Sequence, residues 1–252
     1  QTYGIGIKEL WEVAPEKHKP GHVVHTIGWP LTSDTYGGSF IYHLEDNQVA
    51  VGFVIGLDYA NPYLSPFDEM QRFKLHPTVK PLLEGGRRIA YRERALIEGG
   101  FQSIPDLCFA GGALIGDAAG FMNVAKIKGS HTAIKSGMGA AEAAFDALGS
   151  DAGARPELTA YPSSLKQSWL WAELKKVRNI RPSFRWGLWA GLVLSAIDTY
   201  LFAGHAPWTL HHHADHETMQ KAAGARKIEY PKPDGEITFD KPSSVYLSNT
   251  NH

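Results

Sequence analysis

Gly111-Gly112-Ala113-Leu114-Ile115-Gly116-Asp117-Ala118-Ala119-Gly120 reads as a short apolar strand that ends in Gly-Asp and runs on into small residues. Further along, Gly129–Leu148 carries Ala133, Ala140, Ala141, Ala143 and Ala144, a composition that predicts a helix able to pack close to its neighbours. Two readings fit this pattern. In one, a strand–turn–helix is capped by Asp117 and has no further role. In the other it is half of a flavin site. Gly116 lets a ligand approach the end of the strand, and the Asp117 carboxylate accepts hydrogen bonds from ribityl hydroxyls. The free N–H groups and positive end of the helix then face the flavin N1–C2=O edge, where negative charge collects on reduction.

Upstream, the chain is β-rich. Tyr3–Val13, His22–Trp29, Gly38–Leu44, Val49–Leu57 and Arg88–Leu96 cluster or alternate β-branched and aromatic residues between Gly, Pro and Asp breaks, and a further strand is expected at Leu107–Ile115. Ser65-Pro66-Phe67-Asp68 opens a helix with Phe67, Met70 and Phe73 on one side. Downstream, Leu165–Asn179 is expected as one helix. The chain of 252 residues has a formal charge of -1, without the basic face that nucleic acid requires, so no nucleic-acid partner is expected. The single cysteine, Cys108, excludes an internal disulfide and any four-thiolate metal cluster built from this chain alone. The opening on Gln1 without a signal peptide and the polar ending Leu247–His252 read as cuts in a longer protein.

Long runs then resemble one family. Gly120-Phe121-Met122-Asn123-Val124-Ala125-Lys126-Ile127-Lys128-Gly129-Ser130-His131-Thr132-Ala133-Ile134-Lys135-Ser136-Gly137 is similar to the corresponding run of electron transfer flavoprotein:ubiquinone oxidoreductases. So are Gly28-Trp29-Pro30-Leu31, Tyr36-Gly37-Gly38-Ser39-Phe40, Gly56-Leu57-Asp58-Tyr59, Val177-Arg178-Asn179-Ile180-Arg181-Pro182 and Tyr230-Pro231-Lys232-Pro233-Asp234-Gly235. Asp117 stands where many members carry Cys, and Ile97 where members carry Asn. The resemblance implies an α+β fold: a mixed or antiparallel quinone-binding sheet, the C-terminal half of a Rossmann-like (glutathione-reductase-type) FAD domain, and a membrane-surface helix. It implies a quinone-binding part at residues 1–105, a second FAD segment at 106–150, a helical membrane-associating region at 151–225 and an extended linker at 226–252. FAD contacts are implied at Gly116, Asp117, Gly120, Asn123, Lys128, Gly129 and Thr132. No dinucleotide loop of the G-x-G-x-x-G type is present, so the first FAD segment and the [4Fe-4S] cluster are expected in the full-length protein, outside this chain.

The quinone is expected at Tyr36, Gly37 and Gly38. Paired glycines leave backbone N–H groups open to a carbonyl that becomes an oxyanion on reduction. An ordinary Gly-Gly hairpin turn is the alternative. Trp186–Gly204, the most apolar stretch, holds Asp198 and is flanked by Arg178, Arg181 and Arg185. It reads as a helix lying in the membrane interface, touching lipid through Trp186, Trp189, Leu192 and Leu194. A buried core helix and a true span are the alternatives. His205, His211, His212, His213 and His216 lie in a polar stretch without a ligand frame and are read as solvated, with no metal site in this chain. The whole implies a peripheral enzyme of the bacterial cytoplasmic membrane or the matrix side of the mitochondrial inner membrane. It would pass electrons from reduced electron transfer flavoprotein to ubiquinone. A FixC-like or geranylgeranyl-reductase-like flavoprotein, or a truncated membrane-binding module without redox role, are the competing readings.

Overall fold

The computed structural model describes residues 2–149 and 155–249. In chain order these form β1 (Tyr3–Glu12), β2 (Val23–Thr26), β3 (Gly37–His43), β4 (Gln48–Gly56), α1 (Pro66–Lys74), α2 (Lys80–Leu83) and β5 (Arg87–Ile97). There follow β6 (Cys108–Phe109), β7 (Gly112–Ala113), α3 (Ser130–Leu148), α4 (Ala160–Lys166), α5 (Trp169–Lys176), α6 (Ile180–Ser183), α7 (Leu188–Ala196) and α8 (Lys241–Tyr246). They fall into two compact units, one from Gly4–Leu96 with Asp215–His252, the other from Gln1–Tyr3 with Ile97–Ala214.

The first unit is a five-stranded sheet in the order β2-β3-β4-β1-β5, with β2/β3, β3/β4 and β1/β4 antiparallel. The Val-rich β4 lies between β3 and β1, and it buries Val49, Val51, Phe53 and Ile55. α1 starts as its sequence dictates: Pro66 takes an early position and the Ser65 hydroxyl accepts the Asp68 N–H at 3.3 Å. Its Phe67, Met70 and Phe73 are buried in the same core as Ile7, Trp11 and Phe53.

The period of two along β1 puts Glu9 on the core face between Ile7 and Trp11. Left alone, that carboxylate would cost several kcal/mol. It is met by Lys74 Nζ at 2.9 and 3.0 Å, Arg88 Nη1 at 3.1 Å and the Trp11 indole N–H at 2.9 Å. Burial still pushes Lys74 down to about 8, against the pull of Glu9. Arg88 also donates to Ser244 Oγ at 2.7 Å, fastening α8. The tail expected as an extended linker is therefore folded: Ile237 joins the core and Asp240 caps α8 by accepting the Ser243 N–H.

In the second unit three expectations change. Leu107–Ile115 is a minimal hairpin rather than a strand: Cys108 pairs with Ala113 and Phe109 with Gly112 across a reversal at Gly111, whose φ is +81°. The Phe109 ring fills the space beside Gly112, 2.4 Å from where a Cβ would lie. The helix expected at Leu165–Asn179 breaks into α4 and α5 at Gln167–Ser168. There Ser164 and Ser168 turn their hydroxyls back onto the carbonyls of Tyr161 and Leu165. Trp186–Gly204 is not one helix either. A 3₁₀ turn (Phe184–Trp186) is cut from α7 by Gly187 at φ +87°, and the end of α7 widens into a π turn over Ile197–Leu201. Among the described residues, no helix is long and apolar enough to cross a membrane. The core of this unit gathers Leu107, Phe121, Tyr161, Leu165, Leu170 and Leu174 beneath α3.

Candidate functional site

The Gly116-Asp117 pair opens a 3₁₀ turn, Gly116–Ala119, that ends on Gly120 at φ +77°. Gly116 itself has φ +59°, and a Cβ there would lie 3.3 Å from that of Ala133 on α3. The Gly116 N–H donates to Ser136 Oγ at 2.9 Å, so the turn is bound to the first two turns of α3. Asp117 is exposed at this turn, and its carbonyl accepts the Gly120 N–H at 2.8 Å. The helix itself begins at Gly129 without a side-chain cap. Its Thr132 is buried, and the hydroxyl donates back to the Gly129 carbonyl at 2.8 Å.

Between turn and helix, Asn123 and Lys128 form a two-residue bridge, N–H to carbonyl at 3.0 and 3.3 Å. Asn123 is fully buried, and its Oδ1 accepts the Lys126 N–H at 3.1 Å. Lys128 is exposed, with Nζ 3.4 Å from the Ile127 carbonyl. Of the residues expected to meet a flavin, Gly116, Asp117, Gly120, Asn123, Lys128, Gly129 and Thr132 thus share one unit, on two turns and the start of α3. Gly116 and Gly120 in left-handed backbone, the exposed Asp117 carboxylate and the uncapped helix start at Gly129 fit such a group, whereas Asn123 and Thr132 are fully buried with their side chains bonded within the protein, so they shape the turn and helix start rather than touch the flavin. Sequence reasoning missed Ser136, which binds the Gly116 turn, and Glu173 of α5, whose Oε1 accepts from Asn123 Nδ2 at 2.9 Å.

Tyr36, Gly37 and Gly38 belong to the other unit. The glycine pair lies inside β3, opposite Ile55 and Val54 of β4, and is not a hairpin turn. A Cβ on Gly37 would stand 2.4 Å from the Val54 carbonyl oxygen and 2.6 Å from Leu31 Cδ1, and one on Gly38 2.6 Å from the Thr26 carbonyl oxygen. Packing of neighbouring backbone therefore demands glycine here, whatever else the pair does. Tyr36 is half-buried and its carbonyl accepts the Gly56 N–H at 2.9 Å.

The expected lipid contacts Trp186, Trp189, Leu192 and Leu194 are all exposed, Trp189 at 75%, and Val193, Tyr200 and Leu201 extend the apolar face. Behind this face Asp198 is buried and accepts from Asn179 Nδ2 at 3.3 Å. Arg178 spends its guanidinium on the Lys175, Gly204, Ala206 and Trp208 carbonyls and on Thr209. Arg181 forms a buried pair with Glu98 at 3.0 Å. The Val177–Pro182 run is thus the anchor of the apolar segment, and its charge is directed inward.

Residues 3–96 match the family model described as ETF-QO, ubiquinone-binding. The whole chain aligns at 56% identity with 43% of the mitochondrial electron transfer flavoprotein-ubiquinone oxidoreductase of Oryza sativa subsp. japonica. It aligns at 58% identity with 42% of the protein of that name from Rattus norvegicus. The chain therefore spans less than half the length of these curated relatives. Among solved structures, a geranylgeranyl bacteriochlorophyll reductase-like protein from Thermoplasma acidophilum overlays 79% of this chain and 53% of its own at 15% identity and a TM-score of 0.49, too shallow a likeness to argue from. The similarity first read from motifs extends from one end of the chain to the other, and the chain corresponds to a part of those oxidoreductases.

Proposed function

We propose that this chain is the segment of an electron transfer flavoprotein:ubiquinone oxidoreductase that receives the quinone and supplies the second half of the FAD site. The observation that carries the reading is the match of the five-stranded unit, residues 3–96, to a ubiquinone-binding family, within a chain similar over its whole length to enzymes of that name. FAD supplies hydride and single-electron chemistry when bound. The chain's own residues bind and orient it. Asp117 accepts hydrogen bonds from ribityl hydroxyls, Gly116 and Gly120 keep the turn low beside it, and the open start of α3 at Gly129 offers donors where negative charge gathers. Lys128 flanks that edge from the turn that the buried Asn123 closes.

Ubiquinone is taken by the sheet unit at Tyr36, Gly37 and Gly38. The exposed apolar face around α7 rests on the membrane, with Trp186, Trp189, Leu192 and Leu194 in the interfacial layer, and this brings the enzyme to a substrate dissolved in lipid. A [4Fe-4S] cluster and the remaining flavin contacts belong to the longer protein, which works on the surface of the mitochondrial inner membrane or its bacterial counterpart.

The reading is tested on a full-length protein carrying this segment. Under anaerobic conditions it should pass electrons from reduced electron transfer flavoprotein to a short-chain ubiquinone. Asp117→Ala should weaken FAD by about ten- to a hundredfold, the worth of a charge-assisted hydrogen bond of roughly 1.5–3 kcal/mol. Flavin that is reduced by the donor protein yet never yields quinol would refute the assignment.

A further inference from the structure

We infer that Glu173 is a positioning residue of the flavin half-site: from α5 it fixes the turn Asn123–Lys128 and cancels the Lys126 charge, leaving Lys128 as the cation of the turn that faces the flavin. The inference rests on the flavin reading of Gly116–Thr132 and adds a residue and an electrostatic role that the motif does not contain.

Three side chains of that region converge on one carboxylate. Glu173 Oε1 accepts from Asn123 Nδ2 at 2.9 Å and lies 2.7 Å from His131 Nε2, while Oε2 accepts from Lys126 Nζ at 2.8 Å. One helical turn earlier on α5, Trp169 stacks flat on the His131 ring, 5.7 Å between centroids at 9°. α5 therefore presents an aromatic plane and a carboxylate to the first turn of α3 and to the bridge before it. That bridge needs outside support. Ile127 sits at φ +55°, a left-handed conformation that a β-branched residue adopts only when its surroundings over-determine it. Asn123 supplies the inner half by closing the bridge and accepting the Lys126 N–H. Glu173 supplies the outer half by holding Asn123, Lys126 and His131 together.

The charges sort accordingly. Burial opposes ionisation of Glu173, but the hydrogen bonds from His131, Lys126 and Asn123 outweigh it and hold the group down to about 2, so it is a full anion at neutral pH. Lys126 is spent on that anion. Lys128, two residues on, is exposed, with Nζ 3.4 Å from the Ile127 carbonyl.

The test uses the flavin-loaded full-length protein and reads the flavin midpoint potential by anaerobic dye titration beside the FAD dissociation constant. Reduction adds negative charge to the flavin, so uncompensated positive charge nearby raises its potential and uncompensated negative charge lowers it. Glu173→Gln should raise the potential and weaken FAD about tenfold, because the turn loses a charge-assisted anchor. Lys126→Met alone should lower the potential, a readout that survives if the Glu173 variant fails to fold. The double variant should return the potential to the wild-type value while FAD stays weakly held. A merely structural role predicts loss of stability with no opposed shifts in potential. Equal potentials in wild type, Glu173→Gln and Lys126→Met would overturn the inference while leaving the flavin reading intact. A wild-type protein that purifies without flavin would overturn both.

Discussion

Two glycine pairs carry this molecule's functional reading, and they are glycines for opposite reasons. Gly37 and Gly38 lie in extended strand, where any side chain is conformationally acceptable, but neighbouring backbone oxygens stand within 2.6 Å of where their Cβ atoms would be. Gly116 and Gly120 have more room, their nearest side-chain neighbours 3.3 and 3.5 Å from a built Cβ, but both take positive φ that a Cβ disfavours. The first pair is small because the sheet is close-packed around it. The second is small because the turn bends the wrong way for an L-residue. A Gly-Gly or Gly-Asp in sequence does not tell the two apart, and a functional test by substitution has to.

Substitution by alanine should separate them in order of cost. Gly37→Ala and Gly38→Ala should be the worst, above the roughly 1–3 kcal/mol of ordinary overpacking, because the obstacle is strand backbone that cannot swing aside. Soluble yield and thermal midpoint read this, and near-wild-type stability would show that β3 can part from β4 at Gly37, or from β2 at Gly38, at little cost. It follows that a Gly37→Val variant with slow quinone turnover reports packing before it reports a quinone contact. Gly116→Ala comes next, at about 2 kcal/mol, from left-handed strain of roughly 1–2 kcal/mol joined to the tight approach of Ala133. Gly120→Ala should cost about 1 kcal/mol, strain alone. At the other end stands Gly137, within α3, where Ile115 Cδ1 is 4.0 Å from a built Cβ. There alanine should stabilise by about 0.5–1 kcal/mol through helix propensity. A flat series across these five sites would erase the distinction between the pairs.

The apolar face of α7 extends the comparison, since it is a surface that packing does not demand. Leu192→Glu with Leu194→Glu should leave the fold and flavin content unchanged, because both side chains are exposed, and should release the full-length protein from liposomes. Unchanged sedimentation with vesicles would place the membrane contact elsewhere.

What the sequence revealed followed from local rules. Alternation found the five strands, and the Ser65-Pro66 start with Phe67, Met70 and Phe73 found α1 and its buried side. The Gly116-Asp117 motif found a real turn against α3, although the strand expected before it is a hairpin, because Gly111 and Gly112 reverse the chain. What stayed hidden depends on partners distant in sequence. Glu9 looks like a solvent-facing charge until Lys74 and Arg88 are seen beside it. Glu173 is separated by 42 residues from His131 and lies on a helix whose start, at Ser168, no periodicity marked. Asp198, which argued against a membrane span, is buried, and Asn179 from the anchor run before it donates to its Oδ1 at 3.3 Å.

The central claim, that the five-stranded unit receives the quinone, is tested most directly by light-driven labelling of a full-length protein with a photoreactive ubiquinone analogue, followed by peptide mapping. The label should fall within residues 3–96, in the peptide that carries Tyr36, Gly37 and Gly38, and excess ubiquinone should suppress it. Label confined to residues 97–214, or label that ubiquinone does not displace, would contradict the account.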